Sequence, residues 1–161
     1  MDIAGEERLP HDPGQAQTLV TRLGEIPAFA LDRHLTVVAA NRSARAVSAA
    51  FEPGANLARF AFLEPGPVGD SDREDATLAT VVGLLRDSVD QHEGDDRFRN
   101  LVGELAARSE PFARLWAADS GRARHSGTVW CVGRGARFEF QELRLVDDFE
   151  HTVVVLLSAD S

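Results

Sequence analysis

The sequence has little of several features that decide where a protein works. Its 161 residues include a single cysteine, Cys131, and no tyrosine. One cysteine excludes an internal disulfide, and its apolar neighbours favour a small buried side chain over a reactive thiol. No apolar run approaches the ~20 residues that cross a bilayer, and the acidic N-terminus lacks the basic and apolar parts of a secretory signal. We therefore expect a cytoplasmic protein without a membrane partner.

Positive charge is also scarce. The chain carries 17 Lys and Arg residues against 26 Asp and Glu residues, a formal net charge of −9. Nucleic-acid binding needs basic side chains clustered on one surface. The nearest approach to such a cluster is Arg122, Arg124, Arg134 and Arg137, which is more typical of a solvated loop rim. The sequence therefore predicts no direct contact with nucleic acid.

Patterns typical of catalysis and metal binding are missing as well. No G-x-S-x-G, phosphate-loop or dinucleotide-binding glycine pattern occurs. Turn or loop positions without a metal partner are favoured for all the histidines, which are His11, His34, His92, His125 and His151. Only His125 invites a test, because it precedes a strand that could line a pocket. Glu139 and Glu142 fit solvent-facing strand positions, so we predict no enzyme activity, catalytic residue, metal or cofactor.

What the chain does contain is a strand, turn, strand and helix unit at residues 27–51. Apolar residues alternate along both predicted strands, with Phe29 and Leu31 in the first and Leu35, Val37 and Ala39 in the second. The polar residues 32–34 suit the turn between them. Asn41 can start the following helix by accepting a backbone N–H. Small side chains such as Ala28, Ala30 and Ala39 leave room near this hairpin.

Three helices and three strands are predicted after this unit. A capping box at residues 71–74 opens a helix that ends near His92, a second helix starts at Asp95 or Asp96, and Ser109 caps a third. Strand-like runs follow at residues 128–132, 136–146 and 151–160, and the last is apolar enough to be central. Because the apolar phase changes between Phe140 and Leu143, we expect a bulge near Gln141.

The domain boundaries follow from these elements. Residues 1–25 are predicted to form an acidic leader that ends in a short helix at residues 15–24. Residues 26–159 are predicted to form one domain of sufficient length to bury a core.

Residues 105–117, with the sequence LAARSEPFARLWA, are the most specific stretch of the chain. Together with Leu31-Asp32-Arg33, Asn41 and Leu101-Val102-Gly103-Glu104, this stretch resembles the ligand-binding domain of MmyB-like transcription regulators. The resemblance covers about residues 26–159 in the same order of elements. These actinobacterial regulators join a Cro/repressor-type helix-turn-helix to a PAS-like sensor domain.

The resemblance implies an α+β fold, with a five-stranded antiparallel sheet in the order 2-1-5-4-3 and a helical insertion packed on one face. It also implies small-molecule sensing in transcription regulation, with an apolar or fatty-acyl-like ligand, such as a fatty acid, between sheet and helices. Only about 25 residues precede the sensor, so we expect no DNA-binding domain in this chain. The chain is then a fragment, acts through a separate DNA-binding regulator or has lost regulation, and a homodimer is also open.

The candidate ligand-binding residues come from both sides of this interface. They are Phe29, Leu31 and Val37 from the strands, Phe60, Phe62, Leu85 and Leu105 from helical and linker positions, and Trp116 or Trp130 at one end. Either tryptophan can instead be plain core, which is the usual fate of a Trp on an apolar stripe. Arg108 could anchor an anionic head group, although an i to i+4 pair with Glu104 is favoured.

A protein of another class fits the same sequence. It is a ligand-free PAS-like scaffold whose sheet or leader helix mediates interaction or dimerisation. A wide apolar cavity favours the sensor, whereas a fully packed core favours the scaffold.

Overall fold

A computed structural model describes residues 14–64, 71–118, 126–131, 136–146 and 148–158. The helices are α1 (Gly14–Arg22), α2 (Arg42–Val47), α3 (Leu57–Leu63), α4 (Ser71–Gln91), α5 (Asp96–Arg108) and α6 (Glu110–Ala118). The strands are β1 (Ala28–Leu31), β2 (Val37–Ala40), β3 (Ser126–Cys131), β4 (Ala136–Leu145) and β5 (Asp148–Ser158). None of the helices in these ranges is both long and apolar enough to span a bilayer.

The strands form one antiparallel sheet in the order β2-β1-β5-β4-β3. The apolar last strand lies at its centre, between the first strand and β4. A central strand is covered on both faces, which explains why β5 carries no charge at six consecutive positions, 152–157, five of which are apolar. The α+β class is confirmed, and the strand order is the one that the family resemblance implies.

The two faces of this sheet bury different side chains. The first, here called the insertion face, packs against α2 to α6 through Phe29, Leu31, Val37, Phe138, Phe140, Val154 and Leu156. The second, here called the α1 face, packs against Ala16 and Val20 of α1 through Ala28, Ala30, Ala39, Val153 and Val155. The space that small hairpin residues were expected to leave open is therefore covered by α1 on this face.

The β1–β2 hairpin is closed by its own polar turn, as predicted. Asp32 Oδ1 accepts the backbone N–H groups of His34 and Thr36, each at 2.9 Å. Leu35 was predicted to lie in the second strand, but β2 begins at Val37, and Leu35 instead completes the turn with a left-handed φ of 67°, which costs strain in a residue with a side chain. Its burial in the insertion-face core offsets that strain.

Two expected strand patterns are corrected by the pairing. An irregularity between Ala30 and Leu31 in the β1–β2 register puts Val37 on the insertion face and Ala39 on the α1 face, so they do not share a face. The bulge expected near Gln141 is absent from the described register, which runs unbroken from Phe138 to Arg144 and shifts only at Leu145. Phe140 and Leu143 instead lie on opposite faces, and Leu143 is 36% exposed.

The helix starts agree with the capping residues in the sequence. Asn41 caps α2 by accepting the N–H of Ala44 at 2.9 Å, and Asp95 caps α5 by accepting that of Arg97 at 2.9 Å. Ser109 Oγ accepts the N–H of Phe112 at 3.2 Å at the start of α6. Helix α4 begins at Ser71, where the capping box predicts its start, although the side chains of that box are outside the described part.

Some predicted features lie outside the described residues. They are His11, His125, the arginines at 122, 124 and 134, most of the acidic leader, and the side chains of Trp130 and Cys131. The predictions for these positions stay predictions.

Candidate functional site

The interface between the insertion face and the helices brings most of the candidate ligand-binding residues together. Five of them are buried in one core cluster, namely Phe29, Leu31, Val37, Leu85 and Leu105. Three more, Phe60, Phe62 and Trp116, are half-buried and pack against the same cluster. The ninth, Trp130, is placed by its backbone in β3, paired with Arg137. Whether these residues contact a ligand stays a prediction.

Stacked aromatic rings organise this interface. Phe62 meets Phe112 edge to face with the ring centroids 5.2 Å apart, and Phe112 stacks on Trp116 at 5.5 Å. On the sheet side, Phe29 stacks on Phe51 at 4.3 Å. Offset and edge-to-face ring pairs of this kind add stability beyond the area that they bury. Phe51 and Phe112 were not among the candidate site residues, although both occupied apolar helix stripes in the sequence.

An arginine covers the outer end of this aromatic series. The guanidinium carbon of Arg86 lies 4.3 Å from the centroid of the Trp116 ring, and Arg86 Nη2 donates to the backbone oxygen of Trp116. A cation over an indole face is a favourable contact. Arg86 therefore ties α4 to the end of α6 at the edge of the interface.

A small cleft opens at another edge, where β1, α4, β4 and β5 meet. It is lined by Leu31, Asp32, Arg33, Leu35, Leu84, Asp87, Ser88, Gln91, His92, Glu142, Arg144, Glu150 and Thr152. Its volume of about 40 Å³ is room for about three water molecules, far below the 300–1,000 Å³ of ligand pockets. Of the candidate ligand-binding residues, only Leu31 lines it.

Polar contacts beside this cleft join the hairpin turn to the helices and to β5. We call Arg33, His34, Ser88, Asp95 and Glu150 the ionic cluster. Arg33 Nε donates to Glu150 Oε2 at 3.2 Å, Nη2 donates to Glu150 Oε1, and Nη1 lies 3.5 Å from Asp95 Oδ2. Ser88 Oγ donates to the backbone oxygen of Arg33 at 2.6 Å, and His34 Nε2 lies 2.8 Å from Asp95 Oδ2.

The protonation behaviour of the ionic cluster reflects these contacts. Burial raises the pKa of Asp95, but the N–H of Arg97, the ring of His34 and the charge of Arg33 outweigh it, so the pKa lies below the ordinary 3.8. The hydrogen bond to Glu150 raises the pKa of Arg33 above its ordinary value, despite some desolvation. Both groups therefore stay charged at neutral pH, and the cluster holds together as ion pairs.

The comparison with known protein families now bears on this geometry. The family described as MmyB-like transcription regulator ligand binding domain matches residues 13–161. The chain belongs to this family. The match includes α1, which packs on the sheet opposite the insertion helices. No curated protein matches the chain.

Membership of the MmyB-like family identifies the chain as a ligand-binding domain of the kind found in transcription regulators. In this MmyB-like domain, Arg108 Nη1 donates to Glu104 Oε2 at 3.1 Å, so the favoured helix pair is confirmed. Glu104 also accepts Arg59 Nη2 of α3 at 2.8 Å. The bond from Arg59, opposed by desolvation and assisted by Arg108, lowers the pKa of Glu104. This second ion-pair group links α3 to α5 within the insertion.

His34 and His92 lie in turns of this MmyB-like domain, as predicted, whereas His151 lies in β5, where it is buried, and the prediction of a turn or loop was wrong for it. His34 joins the ionic cluster, His92 contacts the Ser88 backbone oxygen at 2.9 Å, and His151 Nδ1 lies 2.9 Å from Asp148 Oδ2. Within the described ranges, no group of three His, Cys, Asp or Glu residues is arranged to hold a metal ion.

Proposed function

We propose that this domain senses an apolar, fatty-acyl-like compound, which binds between the insertion face and helices α3 to α6. The observation that carries the proposal is the convergence of large apolar side chains from the sheet and the helices on one interface. The half-buried Phe60, Phe62 and Trp116 form its partly open edge. Such a mostly apolar setting suits a small molecule with a long apolar part.

In this proposal, the ligand acts by shifting a population. The described cleft is too small for an acyl chain, and in this proposal the ligand binds when the insertion helices move away from the sheet. A ligand with higher affinity for that open arrangement increases its population. The altered helix surface then changes a contact with a second copy of the chain or with a separate DNA-binding regulator. We propose no catalysis and, from the net charge of −9, no direct binding of nucleic acid by this chain.

A direct test is to denature the purified protein and identify any released small molecule by mass spectrometry. A panel of C10 to C18 fatty acids and uncharged analogues then tests binding through the melting temperature. A ligand at 100 times its Kd should raise the melting temperature by roughly 5–10 °C, since only the folded state binds it. Phe62→Ala should reduce this shift, whereas Leu143→Ala, on the α1 face, should preserve it. The sensor proposal fails if no compound co-purifies and none shifts the melting temperature.

The ligand-free scaffold is the second candidate. It is favoured by the density of the described core, in which Leu85, Leu105 and Phe112 are each 0% exposed. A scaffold should self-associate or bind its partner equally well with and without the compounds of the panel. Analytical ultracentrifugation with and without those compounds separates the two functions.

A further inference from the structure

We infer that the cleft between β1, α4, β4 and β5 is the entrance through which a ligand reaches the sheet–helix interface, and that the contacts of Arg33 hold this entrance closed. This inference rests on the proposed sensing function. Two features of the cleft support it, the first being its lining. Leu31 and Leu35 line the cleft and are also buried members of the insertion-face core. The cleft therefore reaches from solvent to the apolar interface that the ligand must enter.

The second feature is the position of Arg33, which contacts β5, α4 and the start of α5 at the entrance. Its guanidinium binds Glu150 of β5 through two nitrogens and also contacts Asp95 at the start of α5. Its backbone oxygen accepts the Ser88 hydroxyl of α4. The bidentate pair with Glu150 has well-defined geometry and fixes the turn against β5, while the contacts with Asp95 and Ser88 attach α5 and α4 to that turn. Helices α4 and α5 cannot move away from the sheet until these contacts break.

A weaker contact supports the same closure from β4. Arg144 Nη1 lies 3.4 Å from Gln91 Oε1 at the end of α4. Arg33 and Arg144 thus connect the sheet end to the same end of α4, on which Ser88 and Gln91 lie one turn apart. Opening of the entrance therefore requires this end of α4 to separate from the sheet.

The charges around the entrance indicate the head group that it admits. The lining carries four carboxylates, on Asp32, Asp87, Glu142 and Glu150, against two arginines, Arg33 and Arg144. Arg33 is already paired with Glu150. A negative surplus repels an anionic head group, so the entrance favours an acyl compound with an uncharged polar end.

Glu150→Gln tests the gate, by which we mean the contacts of Arg33 that hold the entrance closed. Glu104→Gln is the matched control. Both changes remove one partly exposed carboxylate from an arginine pair, with side chains 39% and 30% exposed. Of these two carboxylates, only Glu150 binds Arg33 at the entrance, since Glu104 joins α3 and α5 within the insertion. Native-state hydrogen exchange of the His92, Asp95 and Phe98 amides reports opening of the α4–α5 turn without any ligand. We expect Glu150→Gln to raise these rates about fivefold, as loss of a partly exposed ion pair should, and Glu104→Gln to leave them unchanged.

Entry is then measured by tryptophan emission after rapid mixing with 1-dodecanol or dodecanoate, which differ in head-group charge. The wild type should take up dodecanol faster, and Glu150→Gln should accelerate both, with the larger gain for dodecanoate. Asp95→Asn should also accelerate uptake while keeping the α5 cap, because Asn caps as well as Asp.

The proposed gate is contradicted if the hydrogen-exchange rates and the uptake rates of Glu150→Gln equal those of Glu104→Gln, even when both compounds bind. The sensing function fails separately if neither compound binds any variant while the exchange rates still respond to Glu150→Gln. The proposed head-group preference is wrong if the wild type takes up dodecanoate faster than dodecanol.

Discussion

The two faces of the sheet are built from side chains of different size and are stabilised in different ways. The insertion face uses mainly phenylalanine and leucine with two valines. Its Phe29 ring stacks on Phe51, and in the helices that cover it Phe62 meets Phe112 edge to face. The α1 face uses mainly alanine and valine beneath a single helix. Large side chains stabilise through buried area and packing, and small ones let a helix backbone come close.

Close approach on the α1 face allows one polar side chain to connect three segments. Asn41 Oδ1 accepts the N–H groups of Ala44 and Ala28, at 2.9 and 3.2 Å. Its Nδ2 donates to the backbone oxygens of Val20, Gly24 and Ile26 at 2.8–3.3 Å. The same buried residue therefore caps α2 and secures the end of α1. The insertion face is therefore stabilised mainly by the volume of its buried side chains, and the α1 face by a few directed hydrogen bonds.

The largest expected effect tests the dependence of the insertion face on volume. Phe112→Ala should lower the free energy of unfolding by about 3–5 kcal/mol, because it leaves a cavity where a fully buried ring was stacked. The matched change on the α1 face is Val153→Ala, which should cost about 2 kcal/mol. Urea denaturation measures both. Equal costs would show that the difference in side-chain size carries no difference in stability.

The next effect tests the dependence of the α1 side on directed bonds. Asn41→Ala should cost about 3 kcal/mol, because it removes the cap and leaves several buried backbone groups without a partner. Ser48→Ala is the control, since Ser48 Oγ accepts only the N–H of Ala50 in the hydrogen bonds described for it, and about 1 kcal/mol is expected. Chemical denaturation gives both values. A loss for Asn41→Ala no greater than the control would mean that α1 needs no such connection.

The smallest expected effect is the loss of stability at acid pH. It tests how much the ion pairs at the rim of the insertion face contribute to the free energy of unfolding. The pKa of Asp95 is lower in the folded state than the ordinary 3.8, so its charge stabilises the fold above that value. This contribution should disappear as the pH falls from about 3.8 through the lower folded pKa. The difference in unfolding free energy between wild type and Asp95→Asn, measured from pH 7 to pH 2, should shrink over that range. A difference that is constant with pH would show that the Asp95 charge contributes nothing.

Much of the candidate site could be predicted because apolar stripes mark it. Leu85 and Leu105 recur at helical spacing, and both lie in the buried core of the insertion face. Phe112 lies in the most specific stretch of the chain, residues 105–117, but its place between Phe62 and Trp116 was not predicted, since no sequence spacing links α3 to α6. The role of Arg33 was also missed. It occupies a turn, and its partners Asp95 and Glu150 lie 62 and 117 residues further along the chain.

By itself, the sequence determined the starts of the helices and the central place of the last strand. Caps at Asn41, Asp95 and Ser109 depend on bonds to groups two or three residues away, and an apolar run dictates burial wherever it lies. Only the tertiary structure decided that Val37 and Ala39 face opposite sides and that α1 fills the space above the alanines. It also brought Arg33 into contact with Glu150, Asp95 and Ser88. These features depend on groups that folding brings together from distant positions in the chain. The local spacing of residues does not predict such long-range contacts.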